Sequence, residues 1–426
     1  MRESSDRWIA FADNVDIGAG RCSRKRFLER SEKRIPPPAS VGGPRGSVLL
    51  GRRSRGGRPG LAQGKRLRVA VVGTGAIAES HRTAFEAHHE DVDIVAAADV
   101  NEARVAAFCA GTVHAQPYHD LGALLAEQEP DLVSICTPPS LHVEQTTQAL
   151  GSGAWVWCEK PPCRSLAEYD DMTAAERDGG PYAAFVYQQR SGSAAAHFRE
   201  LLADGELGRP LVAHCQTTWY RDAAYYAVPW RGRWETEGGG PAMGHGIHQM
   251  DLLLHLLGDW AEVRAMTARL VHDVETEDVS TALVRFESGA LATVVNSVLS
   301  PDEVSRIRID CELATAELTH LYGYGVKDWR YTAAPHVAEE AVERWHTPAA
   351  DVGSSHAAAF APVLAAYRAG RRPPCSGDDG RRVLEFVAAL YKSASTGLGV
   401  RRGEIGPGDA FYRSMAGSRP RTGARG

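Results

Sequence analysis

A strand, a glycine turn and a helix in immediate succession constrain this chain most. Leu67-Arg68-Val69-Ala70-Val71-Val72 reads as a buried strand, and Gly73-Thr74-Gly75-Ala76-Ile77-Ala78 follows it directly. Ala76 to Ala87 then has helical spacing. The first glycine permits the tight turn, and the second lets the backbone approach a pyrophosphate. Ala78 is small enough for close helix–strand packing. The free N–H groups at the helix start would face the anion. Val92–Asp99 gives a second strand, and Asp99 stands 24 residues after Gly75, where a carboxylate can accept the ribose hydroxyls of NAD. A strand-end acid that only caps a turn at Asn101 is the bland alternative. NADP stays open, because Arg104 is near.

The pattern continues with a helix over Glu102–Gly111 and a strand over Asp131–Cys136. A helix over His142–Gly151 and strands at Trp155–Cys158 and Tyr182–Tyr187 follow. Alternation of this kind predicts an α/β Rossmann domain, a parallel sheet with helices on both faces, over residues 67–190. After a helix at Ala194–Asp204 the period changes. Leu211–Tyr220, Val263–Leu270, Ser280–Phe286, Ala290–Leu299, Val304–Cys311 and Thr315–Leu318 read as strands, with a hairpin signal at Glu287-Ser288-Gly289. Helices at His356–Ala369 and Gly380–Thr396 close a second, α+β domain over 191–400, built on a large, mostly antiparallel sheet. Residues 401–426 are expected to be a C-terminal tail.

Residues 1–66 hold a charge of about +10, contain Pro36-Pro37-Pro38 and show no sustained period. The expectation there is a disordered basic tail, or an upstream start that the native protein lacks, with a docking arm as the sharper reading. The remainder is acidic, about −15, so no nucleic-acid groove is implied. Eight scattered cysteines suit a reduced, cytoplasmic protein. No apolar run is long enough to span a bilayer. Arg52-Arg53 lacks the apolar core of an export signal.

Two further motifs lie downstream. Thr137-Pro138-Pro139-Ser140-Leu141-His142 and Cys158-Glu159-Lys160-Pro161 each follow a strand at its C-terminal end, where ligands bind in open α/β sheets. Gly238-Gly239-Gly240-Pro241-Ala242-Met243-Gly244-His245-Gly246-Ile247-His248-Gln249-Met250-Asp251 opens a helix expected to run from Ala242 to Leu257. Together with the glycine turn, this ordered set resembles the Gfo/Idh/MocA family of nicotinamide-dependent sugar and cyclitol oxidoreductases. The resemblance covers residues 67–400. It implies that Gly73, Thr74, Gly75, Ala76, Ile77, Asp99, Thr137, Pro138, His142, Glu159 and Lys160 line the cofactor. It implies that Lys160 is the catalytic lysine and that His248 matches the family histidine. Trp230 and Arg231 would reach the substrate.

This chain departs from the family at one position. An aspartate is expected at Gly244, which has no side chain. That carboxylate is either lost or supplied elsewhere, and His245 is the candidate replacement on the substrate side. His245, His248, Asp251 and His255 form a polar stripe if the helix is regular. A three-histidine metal site is the rival reading of that stripe, and no metal is expected. The Lys160–Pro161 bond is a candidate for the cis form.

The expected activity is hydride transfer between NAD, or NADP, and a secondary alcohol or ketone of a sugar, cyclitol or related polyol. Two rivals stay open: a lyase- or glycosidase-type reaction through transient oxidation, and a cofactor-binding sensor or scaffold without turnover. The face of the second sheet suggests a homodimer or homotetramer. No nucleic-acid or membrane partner is expected.

Overall fold

The computed structural model describes residues 65–418; the expected basic tail at 1–66 lies almost wholly outside them. Six parallel strands form the first sheet: β1 (Leu67–Val72), β2 (Val92–Ala98), β3 (Gln116–Tyr118), β4 (Leu132–Ile135), β5 (Trp155–Cys158) and β6 (Ala183–Phe185). Their spatial order is β3-β2-β1-β4-β5-β6. The order reverses between β1 and β4, which pair in parallel. That switch point opens a crevice at their C-terminal ends, because successive connections leave it in opposite directions. The strands are nearly continuous apolar runs, since helices cover both faces.

Helix α1 (Ala76–Glu86) buries Ala78, His81, Ala84 and Phe85, one face at helical spacing. Helices α2 (Glu102–Ala110), α3 (Leu121–Gln128), α4 (Pro139–Ser152) and α5 (Leu166–Ala174) complete the layers. α2 and α3 start at side-chain caps, Asn101 and Asp120. Sequence periodicity missed β3, α3 and α5, which are short.

Helix α6 (Ser193–Ala203) leads into the second sheet. Its strands are β7 (Pro210–Tyr220), β8 (Trp260–Ala268), β9 (Val279–Phe286), β10 (Leu291–Ser297), β11 (Leu299–Cys311), β12 (Ala314–His320), β13 (Trp329–Ala333) and β14 (Val400–Arg401). The order is β13-β12-β11-β7-β10-β9-β8-β14. Only β7 and β10 pair in parallel; the other neighbours are antiparallel. β9 alternates strictly between buried and exposed residues, as a sheet with one covered face requires. Helix α7 (Ile247–Leu257) covers that face and buries nine of its eleven residues, so it is enclosed nearly all round, with His248, Gln249 and Asp251 as its buried polar groups.

Helices α8 (His356–Arg368) and α9 (Gly377–Thr396) return to the first sheet and to β8 respectively. Phe360 of α8 packs edge-on against Phe85 of α1, with ring centroids 4.9 Å apart. Residues 401–418, expected to be a tail, pack back on the molecule: Ile405, Phe411 and Met415 are buried. Their apolar side chains are too sparse in sequence to signal that packing.

Candidate active site

The crevice begins at Gly73, whose φ of +83° suits glycine. A Cβ there would lie 2.8 Å from Thr137 Cγ2 and 2.9 Å from the Cys136 carbonyl carbon, so the turns after β1 and β4 touch only because none exists. Gly75 caps α1 without a side-chain hydrogen bond, and a Cβ on it meets nothing within 4 Å. Open space thus stands before the unsatisfied amides of the helix start, as a pyrophosphate needs.

Asp99 sits at the end of β2, with both oxygens engaged. Oδ2 accepts from the Thr74 amide (2.8 Å) and hydroxyl (3.1 Å). Oδ1 accepts from the Asn101 amide (2.8 Å) and from Arg104 Nη2 (3.1 Å). Burial opposes the ionised form, but these donors outweigh it and hold the carboxyl below its ordinary range. The turn-capping role is therefore real. A ribose would have to displace Arg104, the most exposed of the four donors.

Glu159, just after β5, is fully enclosed. His81 Nε2 lies 2.9 Å and His356 Nε2 3.0 Å from its Oε1, while the Lys160 amide donates to Oε2 over 3.2 Å. Ser134 Oγ is 2.7 Å from His81 Nδ1. Burial favours neutral His81, so Ser134 donates to Nδ1 and Nε2–H donates to Glu159. Burial pushes Glu159 up, but the hydrogen bonds from His356 and His81 win and keep it well below its usual value. Among the described residues, these three are the histidine and acidic side chains close enough to share an ion. Their distances are those of direct hydrogen bonds, which already satisfy them.

His142 is also enclosed, with ring nitrogens 2.9 Å from the Pro161 carbonyl and 2.8 Å from the Thr137 carbonyl. Burial lowers its pKa, so the neutral ring donates to one of the two. It braces the Thr137 and Lys160 turns rather than presenting a free nitrogen to the crevice. The Lys160–Pro161 bond is cis.

Lys160 Nζ donates to the Gly244 carbonyl over 2.9 Å, bridging the first sheet's crevice to the glycine–histidine segment. Burial lowers its pKa most; Glu159 opposes this and Arg231 adds to it. Ala242–Gly246 is a π-helical turn, and the α-helix begins only at Ile247. The regular helix expected from Ala242 is thus corrected. Gly246 is the physical reason, because a Cβ there would lie 1.9 Å from Asn296 Oδ1, and its absence lets the wider turn press on β10. Gly240 likewise leaves room for Glu277, which accepts the Gly240 amide (3.0 Å), the Ala242 amide (3.2 Å) and the Tyr391 hydroxyl (2.8 Å).

The expected histidine stripe does not form as drawn. Asp251 does not meet His255. It makes a bidentate ion pair with Arg190, whose Nη1 reaches Asp379 (2.7 Å). His245 packs against Trp219 and Tyr225, at 5.2 and 5.8 Å between centroids, and its Nε2 is 3.3 Å from the Tyr225 hydroxyl. His248 packs edge-on to Tyr322 at 5.8 Å. Burial first, then neighbouring cations, push both histidines well below their ordinary pKa. Both ring nitrogens of His248, Nδ1 of His245 and Nε of Arg231 are buried without a protein partner. Such atoms require a ligand or solvent. Arg231 lies over the Tyr225 ring (3.7 Å) and the Trp230 ring (4.6 Å), so Trp230 and Arg231 form one stacked wall.

Sequence reasoning missed Tyr322, which packs on His248, and His356, which bonds Glu159. His356 stands 197 residues from Glu159, and nothing local marks such a contact.

A Rossmann crevice, a lysine after β5 and histidines on a helix across a second sheet define a dinucleotide-dependent oxidoreductase. Residues 67–185 match the oxidoreductase family with NAD-binding Rossmann fold, and residues 195–317 match the GFO/IDH/MocA C-terminal domain. The chain belongs to the Gfo/Idh/MocA family. It is 26% identical over 359 residues to D-glucoside 3-dehydrogenase of Escherichia coli, spanning 78% of this chain and 97% of that protein. It is 28% identical to D-apiose dehydrogenase of Paraburkholderia graminis, spanning 78% and 89%. The WlbA dehydrogenase of Bordetella pertussis, solved with NADH and UDP-GlcNAcA, superposes with a TM-score of 0.69 at 25% identity, covering 79% of this chain and 98% of that one.

Proposed function

We propose that this protein oxidises, or in reverse reduces, one carbon of a polyhydroxylated sugar, cyclitol or related polyol, with Lys160 exchanging the hydroxyl proton. One observation carries the reading: Lys160 Nζ donates to the Gly244 carbonyl, which sets the lysine of the cofactor crevice beside the segment that bears His245 and His248. Residues 67–190 would form the cofactor domain and 191–400 the substrate domain. Gly73, Thr74, Gly75, Ala76 and Ile77 would cradle the pyrophosphate. Asp99 would take the adenosine ribose of NAD once Arg104 swings away, and a 2′-phosphate of NADP would instead draw on Arg104. Thr137 and Pro138 would flank the nicotinamide end, with His142 and Glu159 as positioning residues. Bound nicotinamide supplies a hydride acceptor or donor.

Lys160, lowered by burial, takes the proton as an amine and returns it as an ammonium. His248 stays neutral and uses its unpartnered nitrogens to orient the reacting hydroxyl. His245, Trp230 and Arg231 would hold the rest of the substrate, aromatic faces against ring carbons and donors against hydroxyls. The substrates named for the relatives, glucosides and apiose, support a polyol. Exposed Leu211, Leu283 and Leu291 on the outer face of the second sheet support pairing with another copy, which light scattering tests. The cysteines among the described residues are all free, which supports a cytoplasmic location.

The test is NADH formation across a panel of sugars and cyclitols with Lys160→Met as control. Turnover should fall about 10²- to 10⁴-fold in the variant while NADH still binds. Full turnover in Lys160→Met would refute the assignment. Substrate consumption without net NADH would indicate transient oxidation instead.

A further inference from the structure

Arg164, Arg190 and Arg221, on segments that flank the cleft, each have a carboxylate partner: Glu168, Asp251 and Glu303. Arg231 differs. Among the described residues its guanidinium makes no hydrogen bond and no ion pair, and its Nε is buried. It rests on two rings instead, 3.7 Å from the Tyr225 centroid and 4.6 Å from that of Trp230. A guanidinium stacked on aromatic faces keeps its in-plane N–H donors for another acceptor.

Contacts lead from this arginine to the lysine. The Tyr225 hydroxyl is 3.3 Å from His245 Nε2, and His245 follows Gly244, whose carbonyl holds Lys160 Nζ (2.9 Å). The wall is also braced from behind. Gly232 has φ +69°, a Cβ on it would lie 2.5 Å from Val274 Cγ1, and its carbonyl accepts the Glu275 amide (2.8 Å). Asp278 pins that loop by accepting the Leu270 (2.8 Å), Val271 (2.7 Å) and His272 (3.1 Å) amides. Arg164 ties the wall to the cofactor domain through the Glu235 carbonyl.

Hydroxyls alone do not require a free charge here, because the unpartnered nitrogens of His245 and His248 already offer neutral donors and acceptors. A charged fork without an internal carboxylate matches an anionic pair of oxygens. The free charge is single. Arg221, 5.4 Å from the same Tyr225 ring, is offset by Glu303 at 3.0 Å. Glu237 accepts the Gly232 amide and makes no ion pair with Arg231 among the described residues. A monoanion is therefore the complement, which favours a carboxylate over a phosphate.

We propose that the substrate is a sugar acid, and that Arg231 grips its carboxylate in a two-bond fork while the reacting hydroxyl meets Lys160. The proposal rests on the reading of this cleft as a polyol site and narrows it.

The test is calorimetric titration of the NADH-loaded protein, in which hydroxyl substrates bind without being oxidised. D-glucuronate, D-galacturonate and D-mannuronate are each compared with the neutral hexose and with its 6-phosphate. At least one uronate should bind about tenfold tighter than both. Arg231→Met should erase that preference, and Arg231→Lys, which keeps the charge without the fork, should keep only part of it. Three results overturn the proposal: no uronate preferred over its hexose, the 6-phosphate binding as well as the uronate, or an undiminished preference in Arg231→Met. If Arg231→Met does not fold, Arg231→Lys decides, and an undiminished preference there overturns it. A uronate that binds through Arg231 but yields no NADH when NAD replaces NADH would uphold the carboxylate site and sink the proposed oxidation.

Discussion

Asp251→Leu should unfold this protein more easily than any surface change, and the structure sets the size. Asp251 is fully buried, and its two oxygens lie 2.6 and 2.5 Å from Arg190 Nε and Nη2. Arg190 is itself buried, and Asp251 holds its guanidinium charged despite the cost of burial. Removing the carboxylate breaks two charge-assisted bonds, each contributing about 1.5–3 kcal/mol. Asp379 keeps two contacts to Nη1, at 2.7 and 2.9 Å, so the guanidinium is not stranded. The expected loss is about 3–4 kcal/mol, the low end for breaking a buried pair. Urea unfolding followed by tryptophan fluorescence measures it. Arg190→Met in the same chain should recover most of the loss, since apolar replacement of both partners is nearly neutral. Asp251 lies one turn beyond His248 on α7, so KM for the substrate should rise in the single variant. A loss below about 1 kcal/mol, or no recovery in the double variant, would refute the reasoning.

Gly246→Ala should cost about 1–3 kcal/mol, because its Cβ would meet Asn296, whose amide is tied to Ser280 (3.0 Å). Gly244→Ala, with open space around it, should change thermal stability by less than about 0.5 kcal/mol. Asp99→Ser should raise the ratio of NADP to NAD efficiency by about tenfold, or about 1.4 kcal/mol, with Arg104 freed for the 2′-phosphate; an unchanged ratio would remove Asp99 from cofactor choice. Burial raises Glu277 to about 7 in the folded protein. Its contribution is therefore full below the ordinary carboxyl range of about 4.3 and is lost as pH climbs through about 7. The buried histidines, held below their ordinary pKa, make stability rise with pH in both proteins, so from about pH 5 to pH 8 the rise should be steeper in Glu277→Gln than in wild type.

Fold class was legible because its signals are local. Strand periods, the glycine turn and the hydrophobic alternation of β9 each operate within about ten residues, and their order alone implies the Rossmann layers. Lys160 and His248 became candidates through motif order. The glycines at 240 and 246 were visible, but not their reason, because Glu277 and Asn296 come from strands elsewhere in the chain.

The sequence by itself determined the two sheets, the cofactor turn and the departure at Gly244. Only the tertiary structure decided the partners: His356 on Glu159, Arg190 rather than His255 on Asp251, and Arg104 on Asp99. It also decided that the helix starts as a π turn. The physical reason is one of range. Backbone periodicity is written residue by residue, whereas buried charges take whichever partner the packed elements bring within hydrogen-bond distance, and that depends on the whole fold.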